Sequence, residues 1–129
     1  MVIDTSALIA ILLDEPEAEA FAKAIAADSR RLISAASALE TAIVIEVRRG
    51  PAGGRELDLL LHRSRIEVVP LTASHYEIAR EAWRRFGRGN HPARLNFGDC
   101  CAYALAQSSG EALLFKGNDF VMTDVRHAL

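Results

Sequence analysis

The chain has 129 residues, 50% of them hydrophobic and 25% charged, with a formal net charge of −2. One domain of ordinary globular composition follows, over residues 1–129, and disordered, collagen-like and coiled-coil chains are excluded. No apolar run approaches the roughly 20 residues of a membrane span, and Met1-Val2-Ile3-Asp4 lacks the basic start of a signal peptide. The only cysteines, Cys100 and Cys101, are adjacent, too few for a disulfide framework or a zinc site. The expectation is a cytoplasmic protein without a membrane. Apart from Lys23 and Lys116 its basic residues are arginines, which suit bidentate phosphate contact; a GC-rich genome explains the same bias.

In chain order, Met1 to Asp4 is a short buried strand ending in a carboxylate. Thr5 and Ser6 offer cap hydroxyls to a helix, apolar nearly all round, over Ala7 to Leu13. Glu15-Pro16-Glu17 opens a second, alanine-rich helix over Ala18 to Ala27. Arg31 to Ser34 is the second strand. Ser37-Ala38-Leu39-Glu40 matches a capping box before Ile43, Val44 and Val47. Gly50-Pro51-Ala52-Gly53-Gly54 breaks that helix, and Leu57, Leu60 and Leu61 restart one that ends near Arg65. Ile66 to Val69 is the third strand. Tyr76, Ala79, Ala82, Trp83 and Phe86 keep helical spacing up to Gly87. A polar loop, Gly87 to Arg94, leads to Asn96, which caps a helix from Phe97 to about Gln107. Ala112 to Phe115 is the fourth strand, Gly117 to Phe120 a turn, and Val125 to Leu129 a short stretch that leaves a final strand open. Strands alternating with helices predict a parallel sheet covered on both faces.

Ligands of such sheets bind beyond the carboxyl ends of the strands. Asp4 ends the first strand, Asp119 follows the fourth, and Glu40 and Asp99 lie in first turns of helices. Each has two readings. Glu40 completes a capping box or points into a site; Asp99 serves the helix dipole or a ligand; Asp119 is a turn residue or a functional acid. Asp4, flanked by buried apolar residues, is costly unless paired or metal-bound. Two carboxylates about 4 Å apart repel by about 4 kcal/mol at an effective dielectric of 20, so four together call for protons or a hard, oxygen-preferring cation, Mg²⁺ or Mn²⁺. No His/Cys cluster argues for zinc. An acidic pocket in an otherwise mildly basic body fits a polyanionic substrate with metal at the scissile phosphate.

Met-Val-Ile-Asp-Thr-Ser-Ala-Leu at the N-terminus, Ser-Ala-Leu-Glu-Thr-Ala at 37–42, Leu-Asn-Phe-Gly-Asp-Cys at 95–100, and Leu-Leu-Phe-Lys-Gly-Asn-Asp-Phe with Thr-Asp at 113–124 resemble, in order and spacing, the PIN-domain ribonucleases. They look closest to the VapC toxins of type II toxin–antitoxin pairs. The resemblance implies a three-layer α/β/α fold with a central parallel sheet and Mg²⁺-dependent cleavage of RNA, with Mn²⁺ able to substitute. It also implies inhibition by a small cognate antitoxin, a homodimer, and contact with promoter DNA only through the antitoxin. Carried over by position, Asp4, Glu40, Asp99 and Asp119 match the catalytic and metal-binding acids, Asp124 an additional acid, and Ser6 the hydroxyl that supports Asp4. Asp4 and Asp99 would be the main metal ligands, with Glu40 or Asp119 orienting the attacking water or holding a second metal.

Arg88, His91 and Arg94 precede Asp99 in a loop that either grips RNA or is merely solvated; Lys116 is similarly open between phosphate neutralisation and a plain surface role. Trp83 and Phe86, at helical spacing, are assigned to core or dimer interface rather than base stacking. The cysteines are expected to be buried and inert. Leu12, Leu13, Phe21, Ile43 and Val47 are more apolar surface than a four-stranded sheet needs, and suggest a groove for an amphipathic antitoxin segment. The rival from another class is a receiver-like phospho-acceptor domain with an acidic Mg²⁺ pocket, but Thr5-Ser6 stands where its second acid would follow Asp4. A haloacid-dehalogenase phosphatase needs Asp-x-Asp, and position 6 is serine.

Overall fold

Four short strands, β1 (Val2–Ile3), β2 (Leu32–Ser34), β3 (Glu67–Val69) and β4 (Leu113–Leu114), form an all-parallel sheet in the order β3-β2-β1-β4. The structure is a computed structural model describing residues 1–129. The pleat sends alternate side chains to opposite faces, and the two halves of the core divide accordingly. Val2, Leu32 and Leu113 pack with Ala82, Phe86, Cys100 and Tyr103, from helices α4 (Ala73–Phe86) and α5 (Phe97–Ser109). Ile3, Ile33 and Leu114 pack with Leu8, Phe21, Ile45 and Leu57, from α1 (Thr5–Leu12), α2 (Ala18–Ala27) and α3 (Ala35–Arg63). The three-layer α/β/α arrangement is therefore written in a two-residue alternation along strands two or three residues long. No helix is long and apolar enough to cross a membrane.

Several boundaries differ from the sequence reading. The chain turns directly from β2 into α3, so Ser34, not Ser37, is the N-cap, and its Oγ accepts from the Ala36 N–H. Ser37 lies inside the helix and is fully buried, its carbonyl taking hydroxyl protons from Thr5 and Thr41. The capping-box reading of Glu40 falls with it, because Glu40 now sits in the second turn. The break at 50–54 shrinks to one residue. Gly50 alone leaves helical geometry (φ 63°, ψ −158°), and the helix resumes at Pro51, a residue suited to a first helical position. The expected fourth strand contracts to two residues, and the open C-terminal stretch contributes one parallel bridge, Leu113 to His127. β3 is an edge strand with Glu67 and Val68 exposed, so it is not apolar on both faces.

The order 3-2-1-4 places a topological switch between β1 and β4, the place where open parallel sheets bind ligands. It also differs from the 2-1-3-4-5 order of receiver domains, which removes that rival on topology. α3 follows β2 and α5 leads into β4, so both helix N-termini lie at the carboxyl edge, beside the end of β1.

Candidate active site

Asp4 leaves β1 as the N-cap of α1. Its Oδ2 accepts the Ser6 N–H at 3.0 Å and the Ser6 hydroxyl at 2.6 Å. That hydroxyl in turn accepts the Lys116 backbone N–H at 2.9 Å. Ser6 thus relays the position of the loop after β4 to the carboxylate after β1. Asp4 is buried, and burial raises its pKa; the Ser6 bonds oppose this, and the charge of Glu40 adds to it.

Asp99 is fixed from the other side. The Asn96 side chain accepts the Asp99 N–H at 2.8 Å and the Asp99 carboxylate accepts the Asn96 N–H at 3.0 Å, a reciprocal capping box. Burial pushes the Asp99 carboxyl up to about 7, the Asn96 N–H works against that, and the charges of Asp4, Asp119 and Glu40 push it further. Asp99 therefore caps its own helix and at the same time lies in the field of the other three acids.

Glu40 reaches the same place across the α3–α5 contact. A Cβ on Gly98 would stand 2.7 Å from Glu40 Oε2 and 2.8 Å from Oε1, so the carboxylate rests where only a glycine leaves room. Gly98 was missed in the sequence reading. Its signal was a glycine in the first turn of a helix, where it costs about 0.5–1 kcal/mol relative to alanine with no turn to explain it. Asp119 is exposed in the turn after β4 and acts on Asp99 through its charge.

Four acids from four parts of the chain thus share one electrostatic neighbourhood, and none of them forms a salt bridge. Asp124 stands apart. It accepts the Tyr103 hydroxyl at 2.6 Å and an Arg85 N–H at 3.2 Å, and these partners, Tyr103 first, hold its pKa down. Lys116 is engaged with Glu15 and, at 3.1 Å, with Glu17. Arg88 and Arg94 are exposed in the α4–α5 loop. His91 is turned inward, its Nδ1 accepting the Ala93 N–H and its ring edge-on to Phe86 at 5.3 Å. Both cysteines are buried, and burial pushes the Cys100 thiol up to about 11, so neither offers a thiolate.

The donor set is oxygen only. No three of its side chains converge into a closed metal-ligand shell. Mg²⁺ keeps several of its own waters and is held by one or two carboxylates, so the arrangement fits that ion or Mn²⁺ and does not fit zinc.

The family model of the PIN domain matches residues 1–125. This chain belongs to the PIN-domain family. The chain is 58% identical over 125 residues to the ribonuclease VapC30 of Mycobacterium tuberculosis, covering 97% of this chain and 95% of that one. It is 59% identical over 125 residues to a ribonuclease VapC of Mycolicibacterium smegmatis, covering 97% of each. The crystal structure of Mycobacterium tuberculosis VapC20, described as a toxin that cleaves the sarcin–ricin loop, matches this PIN domain with a TM-score of 0.77. The match covers 96% of this chain and 95% of that one at 20% identity, a likeness of fold.

Proposed function

We propose that this PIN domain is a divalent-metal-dependent endoribonuclease, the toxin of a type II toxin–antitoxin pair, and that Asp4, Glu40, Asp99 and Asp119 are its catalytic and metal-binding acids. The observation that carries the reading is the pairing of two buried carboxylates, Asp4 and Asp99, with two further acids and no basic partner. Such crowding is unfavourable in an isolated protein and favourable around a hard cation.

Asp4 and Asp99 would hold the metal, Mg²⁺ or Mn²⁺. Bound there, it supplies Lewis-acid polarisation of a phosphate oxygen and a water of lowered pKa. Ser6 keeps Asp4 aimed, with the Lys116 N–H fixing the Ser6 hydroxyl. Glu40, over the N-terminus of α5, is placed to take a proton from the attacking water, and Asp119 to orient it or to hold a second ion. Arg88 and Arg94, exposed in the loop before α5, would contact the phosphate backbone of the RNA. Asp124, tied to Tyr103 and Arg85, anchors the chain after Asp119. Asp4→Asn and Asp99→Asn should each abolish cleavage of cellular RNA and permit expression without growth arrest, while leaving the circular dichroism spectrum unchanged. Full activity of either variant at limiting Mg²⁺ would overturn the ligand assignment.

An antitoxin would silence the site by covering it. Ala36, Leu39, Ile43, Val44 and Phe97 line an apolar groove of about 380 Å³ bounded by Glu40 and Gly98, with Leu39 63% and Ile43 55% exposed. It suits the apolar face of an amphipathic segment, with a basic side chain reaching the acids. The groove differs from the sequence expectation. Phe21 is core, Leu12 and Leu13 pack against the core, and only Ile43 of the expected set lines it. Co-expression with the small upstream reading frame should give a co-purifying, inactive complex, and Ile43→Asp should release the nuclease. The homodimer, and promoter DNA reached only through the antitoxin, belong to the same proposal, tested by sedimentation of the free toxin and of the complex with its promoter.

A further inference from the structure

We propose that Lys116, gripped by Glu15 and Glu17, is a positioning residue that sets two of the four acids, Asp4 and Asp119, rather than a contact for RNA. The inference rests on the nuclease reading and adds how its metal ligands are held in place. After α1 the chain turns through Asp14, whose φ is 51°, and presents Glu15 and Glu17 to the turn that follows β4. The Lys116 ammonium meets Glu15 Oε2 and lies 3.1 Å from Glu17 Oε2. That Glu17 oxygen is buried and accepts no hydrogen bond, so the ammonium is the charge that offsets its desolvation. The contacts with Glu15 and then Glu17 hold the Lys116 pKa up, and Lys116 holds that of Glu17 down, so the ions persist at neutral pH. Lys23, the other lysine, gives the contrast. It pairs with Glu19 of its own helix with both side chains at least 74% exposed, whereas the Lys116 side chain is 34% exposed and its partners come from a different part of the chain.

Three features connect this ion cluster to the acids. The first is the Lys116 main chain. Its N–H donates to Ser6 Oγ at 2.9 Å, and Ser6 Oγ donates to Asp4 Oδ2 at 2.6 Å. Lys116 therefore holds the first turn of α1 with its backbone and the connection that leaves α1 with its side chain. The second is the turn itself, in which Lys116 and Phe120 bracket Asp119. Phe120 is fully buried and packs on Phe115 with ring centroids 5.0 Å apart, which fixes the far end. Gly117 follows Lys116 with φ 94°, and a glycine adds no stiffness of its own, so the near end is as firm as the grip on Lys116. The third is what the other two acids depend on. Asp99 is held by Asn96, and Glu40 rests against Gly98, both on the α5 side and independent of Lys116. An ion pair this exposed adds little to stability. Its consequence is geometric, and an ammonium committed to two carboxylates is not free for a phosphate.

The test uses the full chain with Mn²⁺ as the probe. Binding is read from the free-ion signal in electron paramagnetic resonance, and cleavage kinetics on cellular RNA are followed in parallel. Lys116→Met and the double variant Glu15→Gln/Glu17→Gln should each raise the Mn²⁺ Kd by roughly tenfold, the scale of loss when a partner behind a metal ligand is removed. The triple variant should bind no more weakly than Lys116→Met, because all three changes undo one device. Lys23→Met should bind as the wild type does. The Tm should fall by no more than a few degrees in any of them, and KM for RNA at saturating Mn²⁺ should be unchanged. The direction of the two effects decides. A bare field effect would make Lys116→Met bind Mn²⁺ more tightly and the glutamine variant less tightly, because one loses positive and the other negative charge. That split, or an unchanged Kd in both, would overturn the clamp. A raised KM for RNA in Lys116→Met with unchanged Mn²⁺ affinity would return Lys116 to phosphate binding and also overturn it. Wild-type binding of Mn²⁺ that is lost in Asp4→Asn tests the metal reading separately. With that binding, any overturning result leaves the metal site standing without the clamp, and no binding by the wild type removes both.

Discussion

Gly98 shows how much of the site depends on one missing methyl group. Alanine there favours the helix by about 0.5–1 kcal/mol, and the atom it would strike is the tip of a flexible side chain, Glu40 Oε2 at 2.7 Å. Gly98→Ala should therefore fold with an unchanged or slightly raised Tm while losing RNA cleavage, because Glu40 is displaced and little else moves. A parallel loss of stability and activity would instead mean that Gly98 serves packing. Ser6→Ala probes the opposite kind of residue. It removes a donor to Asp4 Oδ2 and an acceptor for the Lys116 N–H together, and should weaken apparent Mg²⁺ affinity more than it weakens the turnover reached at saturating Mg²⁺.

At the scale of elements, the site is assembled by two helix starts and a kink. α3 reaches the acids at its beginning and the core under α1 at its end, and Gly50 lets one element do both. Its backbone lies at φ 63° and ψ −158°, a region open essentially to glycine at a cost of about 1–3 kcal/mol for other residues. Gly50→Ala should lower unfolding free energy by about that amount in urea titration while leaving metal affinity in the remaining folded protein unchanged. The groove lined by Leu39 and Ile43 and the cleft between α4 and α5 flank α5 and share Phe97. An inhibitor seated on one side therefore touches the ring that borders the other.

For the whole molecule, the acid cluster couples stability to pH, and a metal bound there would change that coupling. The pKa of Asp99 in the folded chain, about 7, lies above its ordinary value of 3.8, so the folded state binds that proton more tightly than the unfolded state. Its contribution to stability is present below pH 4 and lost as pH rises through about 7; Asp4 acts in the same direction. In EDTA, the Tm of the wild type relative to Asp99→Asn should fall across that window. Saturating Mg²⁺ or Mn²⁺ should raise the wild-type Tm by linkage and remove the fall. A pH-independent difference between the two proteins in EDTA would refute the coupling. Asp28 and Glu111, lowered by their hydrogen bonds to Arg30 and to the N-terminus, act oppositely at lower pH and cancel in the comparison.

The sequence by itself determined the class of fold, the chain order of its elements and the acids that gather at the sheet edge. Those rest on local rules: short apolar runs alternating with helical stretches, helical spacing in Tyr76 to Phe86, an asparagine cap before Asp99, and a carboxylate closing an apolar strand. Tertiary structure alone decided the rest, because it depends on which surfaces meet. Ser34 rather than Ser37 caps α3 because β2 ends without a loop. Gly98 matters only once α3 crosses α5, and Asp124 turns to Tyr103 and Arg85 because the last turn folds against α4 and α5. Trp83 is half exposed on the cleft between α4 and α5, so of the two places expected for it, core and dimer interface, the core is excluded by how those helices meet.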